Sequence, residues 1–181
     1  MKPLKTKVIT YLQMTSPDQL ELARLVPGLT VTPVEQPAGR DLAELRAVHD
    51  RIAVAHHWSS LTWSRQQWID WLDDTTLHHW WVKLQGEVIG WGCLRRHPGP
   101  EVEIDTFGIV PEHIGHGYGG HALSVLTSIA WGLHGLGTGQ GGSPAVRRVW
   151  LHTSSWDHPH ALTNYRKRGF VSASVPDTTS A

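Results

Sequence analysis

PEHIGHGYGG, residues 111–120, is a glycine-dense break between two segments of opposite character. The residues before it, 102–110 (VEIDTFGIV), carry the alternation and β-branched content of a strand. After it, Leu123, Leu126, Ala130 and Leu133 recur at helical spacing, which predicts a helix opening at the end of the loop. The first N–H groups of such a helix have no carbonyl to bond, and that end of the helix carries a partial positive charge. Gly115, Gly117, Gly119 and Gly120 let a ligand approach this backbone closely, so the segment reads as a cradle for a pyrophosphate.

On both sides of the loop, strand-like and helix-like runs alternate, the pattern of a layered α/β domain. Residues 8–14 and 30–35 predict short strands, separated by the turn-rich 15–18 and a stop at Pro27-Gly28. Leu42, Leu45, Val48 and Ile52 lie at helical spacing. A second helix is expected over 64–73, with Ser64 as its N-cap and Trp68, Ile69, Trp71 and Leu72 on one face. Residues 79–84, 88–94 and 102–110 predict an antiparallel meander through turns at Gly86 and Pro98-Gly99-Pro100. Past the central helix, 135–144 reads as a glycine-rich connector and 148–153 as a strand. Residues 159–168 predict a helix with Asp157 or His158 near its cap and Gly169 as a left-handed stop, and 171–175 a last strand. No repeat or linker interrupts this order, so a single domain over 1–181 is expected, with its core at about 30–175 and an extra strand at about 8–14.

A chain of 181 residues can bury one core without covalent staples. Its 16 Lys+Arg balance 16 Asp+Glu and no basic run stands out, so neither nucleic acid nor a membrane surface is an expected partner; a small molecule or peptide is. No apolar stretch approaches the roughly 18 residues of a membrane span, and the apolar run after the basic residues 1–7 is too short for a signal-peptide core. Cys93 is the single cysteine, which excludes an intrachain disulfide and fits a reducing compartment, so the expected location is cytoplasmic. Lying inside a predicted strand, Cys93 reads as a buried structural thiol. His113, His116 and His121 lack the cysteines or spaced carboxylates that would complete a shell, so no metal is expected.

The strand, the proline-acid pair, the G-x-G-x-G loop and the helix together resemble the coenzyme A pyrophosphate loop of the GNAT acyltransferases. The segment His158-Pro159-His160-Ala161-Leu162-Thr163-Asn164-Tyr165-Arg166-Lys167-Arg168-Gly169-Phe170 resembles that superfamily's late helix, in which an alanine is followed four residues on by tyrosine and then by a glycine-phenylalanine stop. Two motifs in this order, with room between Gly119 and Tyr165 for a helix and a strand, are more specific than either alone. The resemblance covers roughly 42–175. The family loop usually opens with arginine or glutamine where this chain has Ile114, and the late helix with asparagine where it has His158. His113-Ile114-Gly115-His116 also spells the HIGH signature of class I aminoacyl-tRNA synthetases, but neither the early strand nor the lysine-rich loop that accompanies it there is present.

The resemblance implies a twisted, mostly antiparallel sheet with one parallel pair splayed at the cofactor cleft and helices on both faces. It implies transfer of an acyl group, most simply acetyl, from coenzyme A to the primary amine of a small molecule or peptide, with acetyl-CoA as co-substrate. Ile114, Gly115, His116, Gly117, Tyr118, Gly119 and Gly120 would hold the pyrophosphate. Phe107, Gly108 and Ile109 would hold the pantetheine and polarise the thioester through their backbone groups, with His158 and Ala161 bordering it. Tyr165 is implied as the acid for the departing thiolate. Glu103 and Asp105 are the candidate bases, directly or through a water, because alternation along the strand sets them on one face with Phe107 and Ile109. The acceptor would enter beside 53–63, where His57, Trp58 and Trp63, with His56, Ser59 and Ser60, form an aromatic, hydrogen-bonding stretch suited to a flat or cationic molecule through stacking and cation–π contact. A larger acyl-CoA or an aminoacyl-tRNA as donor, and a catalytically silent coenzyme A-binding module, are the alternative readings. An aromatic-rich surface carries the expectation of a homodimer.

Overall fold

A three-stranded meander forms the middle of the sheet, and the remaining elements are placed by how they extend or cover it. The computed structural model describes residues 6–35, 41–133 and 145–174. In chain order its elements are β1 (Ile9–Met14), β2 (Leu29–Pro33), α1 (Asp41–Ala53), α2 (Arg65–Leu72), β3 (Leu77–Leu84), β4 (Glu87–Arg96), β5 (Glu101–Ile109), α3 (Tyr118–Gly132), β6 (Arg148–Ser154), α4 (Ala161–Lys167) and β7 (Val171–Ser172). The seven strands run in the order β2-β3-β4-β5-β6-β1-β7. Every pairing is antiparallel except β5 with β6, so the sheet has the mixed character expected. The connector read over 135–144 lies outside the described residues, as does Val175 at the end of the last predicted strand.

Two glycines on neighbouring strands show how the helices divide between the faces. A Cβ on Gly108 would sit 2.5 Å from Ile52 Cγ2 of α1, and one on Gly92 would sit 2.6 Å from Leu126 Cδ2 of α3. Each helix reaches the sheet because a side chain is missing there. One apolar cluster joins α1 and α2 to β3 and β4 through Leu45, Val48, Trp68, Trp81 and Trp91. The other joins α3 to β1, β5 and β6 through Leu123, Leu126, Leu12, Val102 and Leu151, with Leu162 and Tyr165 of α4 packed against it. No helix among the described residues is long and apolar enough to cross a membrane.

Local chemistry explains some element ends. Ser64 and Gln67 form a reciprocal capping box at the start of α2, Ser64 Oγ accepting from Gln67 N at 3.2 Å and Gln67 Oε1 from Ser64 N at 2.9 Å. Gly169 has φ 96° and ends α4 as expected. The start of α4 differs from expectation: its N-cap is His160, which makes no side-chain capping bond. Asp157 is used elsewhere, accepting from Ser154 N at 2.7 Å and Thr153 Oγ1 at 2.8 Å and so closing the turn after β6.

The parallel pairing of β5 with β6 is short. It runs only through Glu101↔Arg148, Val102↔Val149 and Glu103↔Trp150, beyond which the strands separate. At the point of separation β5 carries a bulge: Ile104 faces Leu94 and Thr106 faces Cys93, leaving Asp105 as the extra residue. The bulge overturns the expected alternation. Paired residues share a face, so Phe107, opposite Gly92, turns toward α3, whereas Glu103, opposite Arg95, shares the α1 face with Thr106 and Gly108.

Candidate active site

The gap between β5 and β6 opens into a cavity of about 1190 Å³. That exceeds the range of roughly 300–1,000 Å³ usual for a single drug-sized ligand. Ile104 to Ile109 of β5 and His152 and Ser154 of β6 form its flanks. Because β6 has left the ladder there, the edge of β5 beyond Glu103 offers backbone N–H and C=O groups to whatever fills the gap.

One end presents unpaired backbone donors. Gly115 and Gly117 hold φ of 90° and 81°, conformations that favour glycine, and Gly117 is the N-cap of α3 with no side-chain cap. The backbone N–H groups of residues 115–120 donate to no acceptor among the described residues. Beside them, Arg168 Nη1 lies 2.9 Å from the Cβ position of Gly120, and Arg168 Nε is buried without a partner among the described residues. Burial holds the Arg168 guanidinium below its ordinary pKa, with Glu21 opposing. An unpaired cation next to unpaired amides fits a diphosphate. The far wall is the segment 23–27, held to α3 by Ala23 N donating to Ser124 Oγ at 2.9 Å and Val26 N to His121 Nδ1 at 3.0 Å. His121 is thereby engaged by the backbone, and among the described residues no three His, Cys, Asp or Glu side chains group as a metal site.

Of the residues expected at the pyrophosphate, Ile114, Gly115, His116, Gly117, Gly119 and Gly120 line this cavity. Tyr118 does not; its ring stacks on His116 with centroids 5.4 Å apart. An ion pair between Arg51 and Glu112 ties α1 to the start of the loop. Arg168 and the 23–27 wall were not foreseen. The only sequence signal was the basic run at 166–168, which reads equally well as a favourable end to α4.

At the middle of the cavity, Phe107, Gly108, Ile109, His158, Ala161 and Tyr165 all contribute to the lining. Burial, and secondarily the charge of Asp157, raises the Tyr165 phenol well above its ordinary pKa, so it is protonated at neutral pH. Asp105 also lines the cavity, but its carboxylate is held by Arg95 Nε at 3.1 Å and by the Thr106 hydroxyl at 3.0 Å. Glu103 is buried behind the lining and accepts from His97 Nε2 at 2.9 Å and His152 Nδ1 at 3.2 Å. Burial alone would raise its pKa; the two imidazole hydrogen bonds outweigh burial and leave it below the ordinary carboxylate range. The same bond, against the opposing effect of burial and with help from the charges of Glu103, Asp105 and Asp157, lifts His152 above the ordinary imidazole value. His152 lines the cavity and connects Glu103 to it. Nothing in the sequence marks His152, because its meeting with Glu103 depends on the β5–β6 register.

The remaining end is aromatic. Trp63, Trp68 and Trp71 stand edge to face, with centroids 5.1 to 5.8 Å apart, and Trp71 meets Trp91 at 5.5 Å. Trp58 donates its indole N–H to Asp157 Oδ1 at 3.4 Å. Trp58 and Trp63 line the cavity, together with His56, Ser59 and Ser60. His57 does not: it takes a left-handed conformation at φ 53° and its ring lies 6.3 Å from Trp156.

Among solved structures, a GCN5-related N-acetyltransferase from Kribbella flavida superposes with a TM-score of 0.59 at 15% identity, covering 92% of this chain and 56% of that one. A second, from Sphaerobacter thermophilus, gives a TM-score of 0.63 at 14% identity, covering 91% and 48%. An aminoglycoside acetyltransferase from an uncultured soil metagenomic sample, solved with trehalose, gives 0.54 at 12% identity, covering 78% and 87%. The chain thus spans about half the length of the first two, and at these identities the likeness is one of fold. No curated protein matches the sequence. The Acetyltransferase (GNAT) family matches residues 44–170, which take in the splayed strands, the glycine loop and the helix bearing Tyr165. On that match this chain belongs to the GNAT acetyltransferase family.

Proposed function

We propose that this protein transfers an acyl group, most simply acetyl, from coenzyme A to the primary amine of a small molecule or peptide by direct attack. The observation that carries the reading is a single cavity that joins unpaired amides and the orphaned Arg168 guanidinium at one end to a protonated Tyr165 and the splayed edge of β5. The amides of 115–120 with Arg168 take the diphosphate. Phe107, Gly108 and Ile109 lend backbone groups to the pantetheine and to the thioester oxygen as it gains negative charge, with His158 and Ala161 alongside.

Attack requires an amine that has lost its extra proton. Glu103 and Asp105 are the acidic residues of the strand, and they do not stand equally. Asp105 is neutralised by Arg95, whereas Glu103 communicates with the cavity through His152. The Glu103–His152 pair is therefore the base, with His152 receiving the proton and Glu103 stabilising the imidazolium that results. The amine nitrogen bonds to the carbonyl carbon, the tetrahedral intermediate collapses, and the C–S bond breaks. Tyr165 gives its proton to the departing thiolate and regains one from the attacking nitrogen, which must lose it to become the amide, while His152 releases its proton to solvent. Trp58 and Trp63 suit an acceptor that is flat or cationic.

The test is a thermal-shift titration followed by thiol-release assays over a panel of amines. Acetyl-CoA at a hundredfold its Kd should stabilise the fold by about 2.7 kcal/mol, and an amine bearing an aromatic group should release thiol faster than a purely aliphatic one. Absence of any stabilisation by acyl-CoA would remove the reading.

A further inference from the structure

The last turns of α1 and the connection that follows it carry three linked side chains, His49, Asp50 and Ser60, that direct transfer to an amine leaves unused. His49 on α1 is 2% exposed. Its Nδ1 lies 2.8 Å from Asp50 Oδ1 and its Nε2 lies 2.7 Å from Ser60 Oγ. The direction of each bond is set by the chemistry of the partners. A carboxylate only accepts, so in the neutral imidazole the proton sits on Nδ1, Nε2 is left as an acceptor, and the Ser60 hydroxyl donates to it. Burial keeps His49 below the ordinary imidazole pKa despite the bond to Asp50, so the ring is neutral at pH 7 and its Nε2 lone pair is free to accept. Trp68 at 4.7 Å and Trp58 at 5.7 Å hold its plane. A serine donating to a histidine whose other nitrogen is fixed by a carboxylate is the arrangement that activates a hydroxyl as a nucleophile.

His49 and Ser60 both line the cavity that contains Tyr165 and the edge of β5. A buried histidine satisfied by two neighbours also serves simply to tie the turn to α1. The orientation of the bonds adds something that this tie does not need: the serine oxygen is the donor, on the wall of a cavity read as taking a thioester.

We propose that Ser60, activated by His49 and Asp50, takes the acyl group from the bound thioester and passes it to water, giving the protein an acyl-CoA hydrolase activity that needs no amine. The proposal rests on the acyl-CoA reading of the cavity. In the first step Ser60 Oγ bonds to the carbonyl carbon, its proton moves to His49 Nε2, the C–S bond breaks, and the thiolate leaves with that proton as free coenzyme A. In the second, His49 takes a proton from water, the hydroxide bonds to the ester carbon, and Ser60 leaves with the proton returned from His49. The products are a carboxylic acid, coenzyme A and the unchanged enzyme. No oxidant or further reactant is consumed.

The experiment incubates the full chain with acetyl-CoA and no amine, follows thiol release, and maps acetylated peptides by mass spectrometry. We expect steady thiol release that falls at least about tenfold in Ser60→Ala, and a smaller but clear fall in Asp50→Asn, where the carboxamide no longer dictates the tautomer. Ser60→Cys should carry a mapped acetyl group on the new thiol, a readout that a loop-anchoring role would not produce. Release that persists unchanged in Ser60→Ala, acetylation mapped only to other residues, or no release from wild type that acetyl-CoA demonstrably stabilises would each overturn the proposal. If acetyl-CoA gives no stabilisation at all, the reading of the cavity fails and this inference falls with it.

Discussion

His152 Nδ1 lies 3.2 Å from Glu103 Oε1, and of the two only the histidine lines the cavity. Glu103 favours the imidazolium form of His152, so the proton-accepting form is lost at a higher pH than for a free histidine, whose pKa is about 6.5. The acidic limb of the kcat/KM profile should therefore lie above that value. Glu103→Gln removes the charge but leaves the burial, and should move the limb downward while slowing turnover. An unmoved limb in Glu103→Gln and in His152→Asn would transfer the role of base to Asp105.

The same pair links stability to pH. Glu103 has a lower pKa folded than unfolded, so its contribution is present above the unfolded value of about 4.3 and is lost as pH falls through the folded one. Thermal melts of wild type should decline more steeply below about pH 4.3 than those of Glu103→Gln. Parallel declines would show that Glu103 is not coupled to the histidines in solution.

Tyr165→Phe keeps the packing of the ring against the cluster that holds Phe170, 6.3 Å away, and removes only the proton. Acetyl-CoA affinity should stay the same and turnover on the best amine should fall on the order of 10²-fold. Since the phenol pKa is raised, wild type should show no loss of activity from Tyr165 ionising below about pH 10. Equal turnover in the variant would take the proton-donor role from Tyr165.

Arg168→Gln should weaken acetyl-CoA binding by roughly ten- to a hundredfold, the worth of a hydrogen bond to a charged group, and leave the KM of the amine unchanged. The loss should shrink as ionic strength rises. Calorimetric titration at two salt concentrations checks both statements, and an unaltered Kd would mean that Arg168 does not face the diphosphate.

Gly169 and Gly86 both adopt positive φ, at 96° and 90°, but a Cβ on Gly169 would meet Gln19 O at 1.8 Å whereas one on Gly86 would meet nothing within 4 Å. Gly86→Ala should cost only the backbone term, about 1–2 kcal/mol. Gly169→Ala should cost clearly more, because the 17–20 turn must shift as well. Equal losses in denaturant melts would show that the turn yields freely.

Features carried by local chemistry were readable in the residues. The glycine loop, the Ser64 cap, the Gly169 stop and the tyrosine helix each depend on a few neighbours in sequence. What escaped was set by pairing between distant strands. A bulge at Asp105 appears only when β5 is laid against Cys93 and Leu94, and it alone reverses the face expected for Phe107 relative to Glu103. His152 became a partner of Glu103 through the parallel register, and Arg168 reached the loop across the fold. Asp157 looked like a helix cap, but the β6 turn uses its carboxylate instead.

The most direct measurement is a crystal structure of the protein with acetyl-CoA, read at the phosphorus and sulfur positions. The diphosphate should accept hydrogen bonds from the amides of 115–120 and from Arg168, with the sulfur beside the Tyr165 hydroxyl. A diphosphate bound away from that loop, or a sulfur out of reach of Tyr165, would contradict the assignment of the cavity.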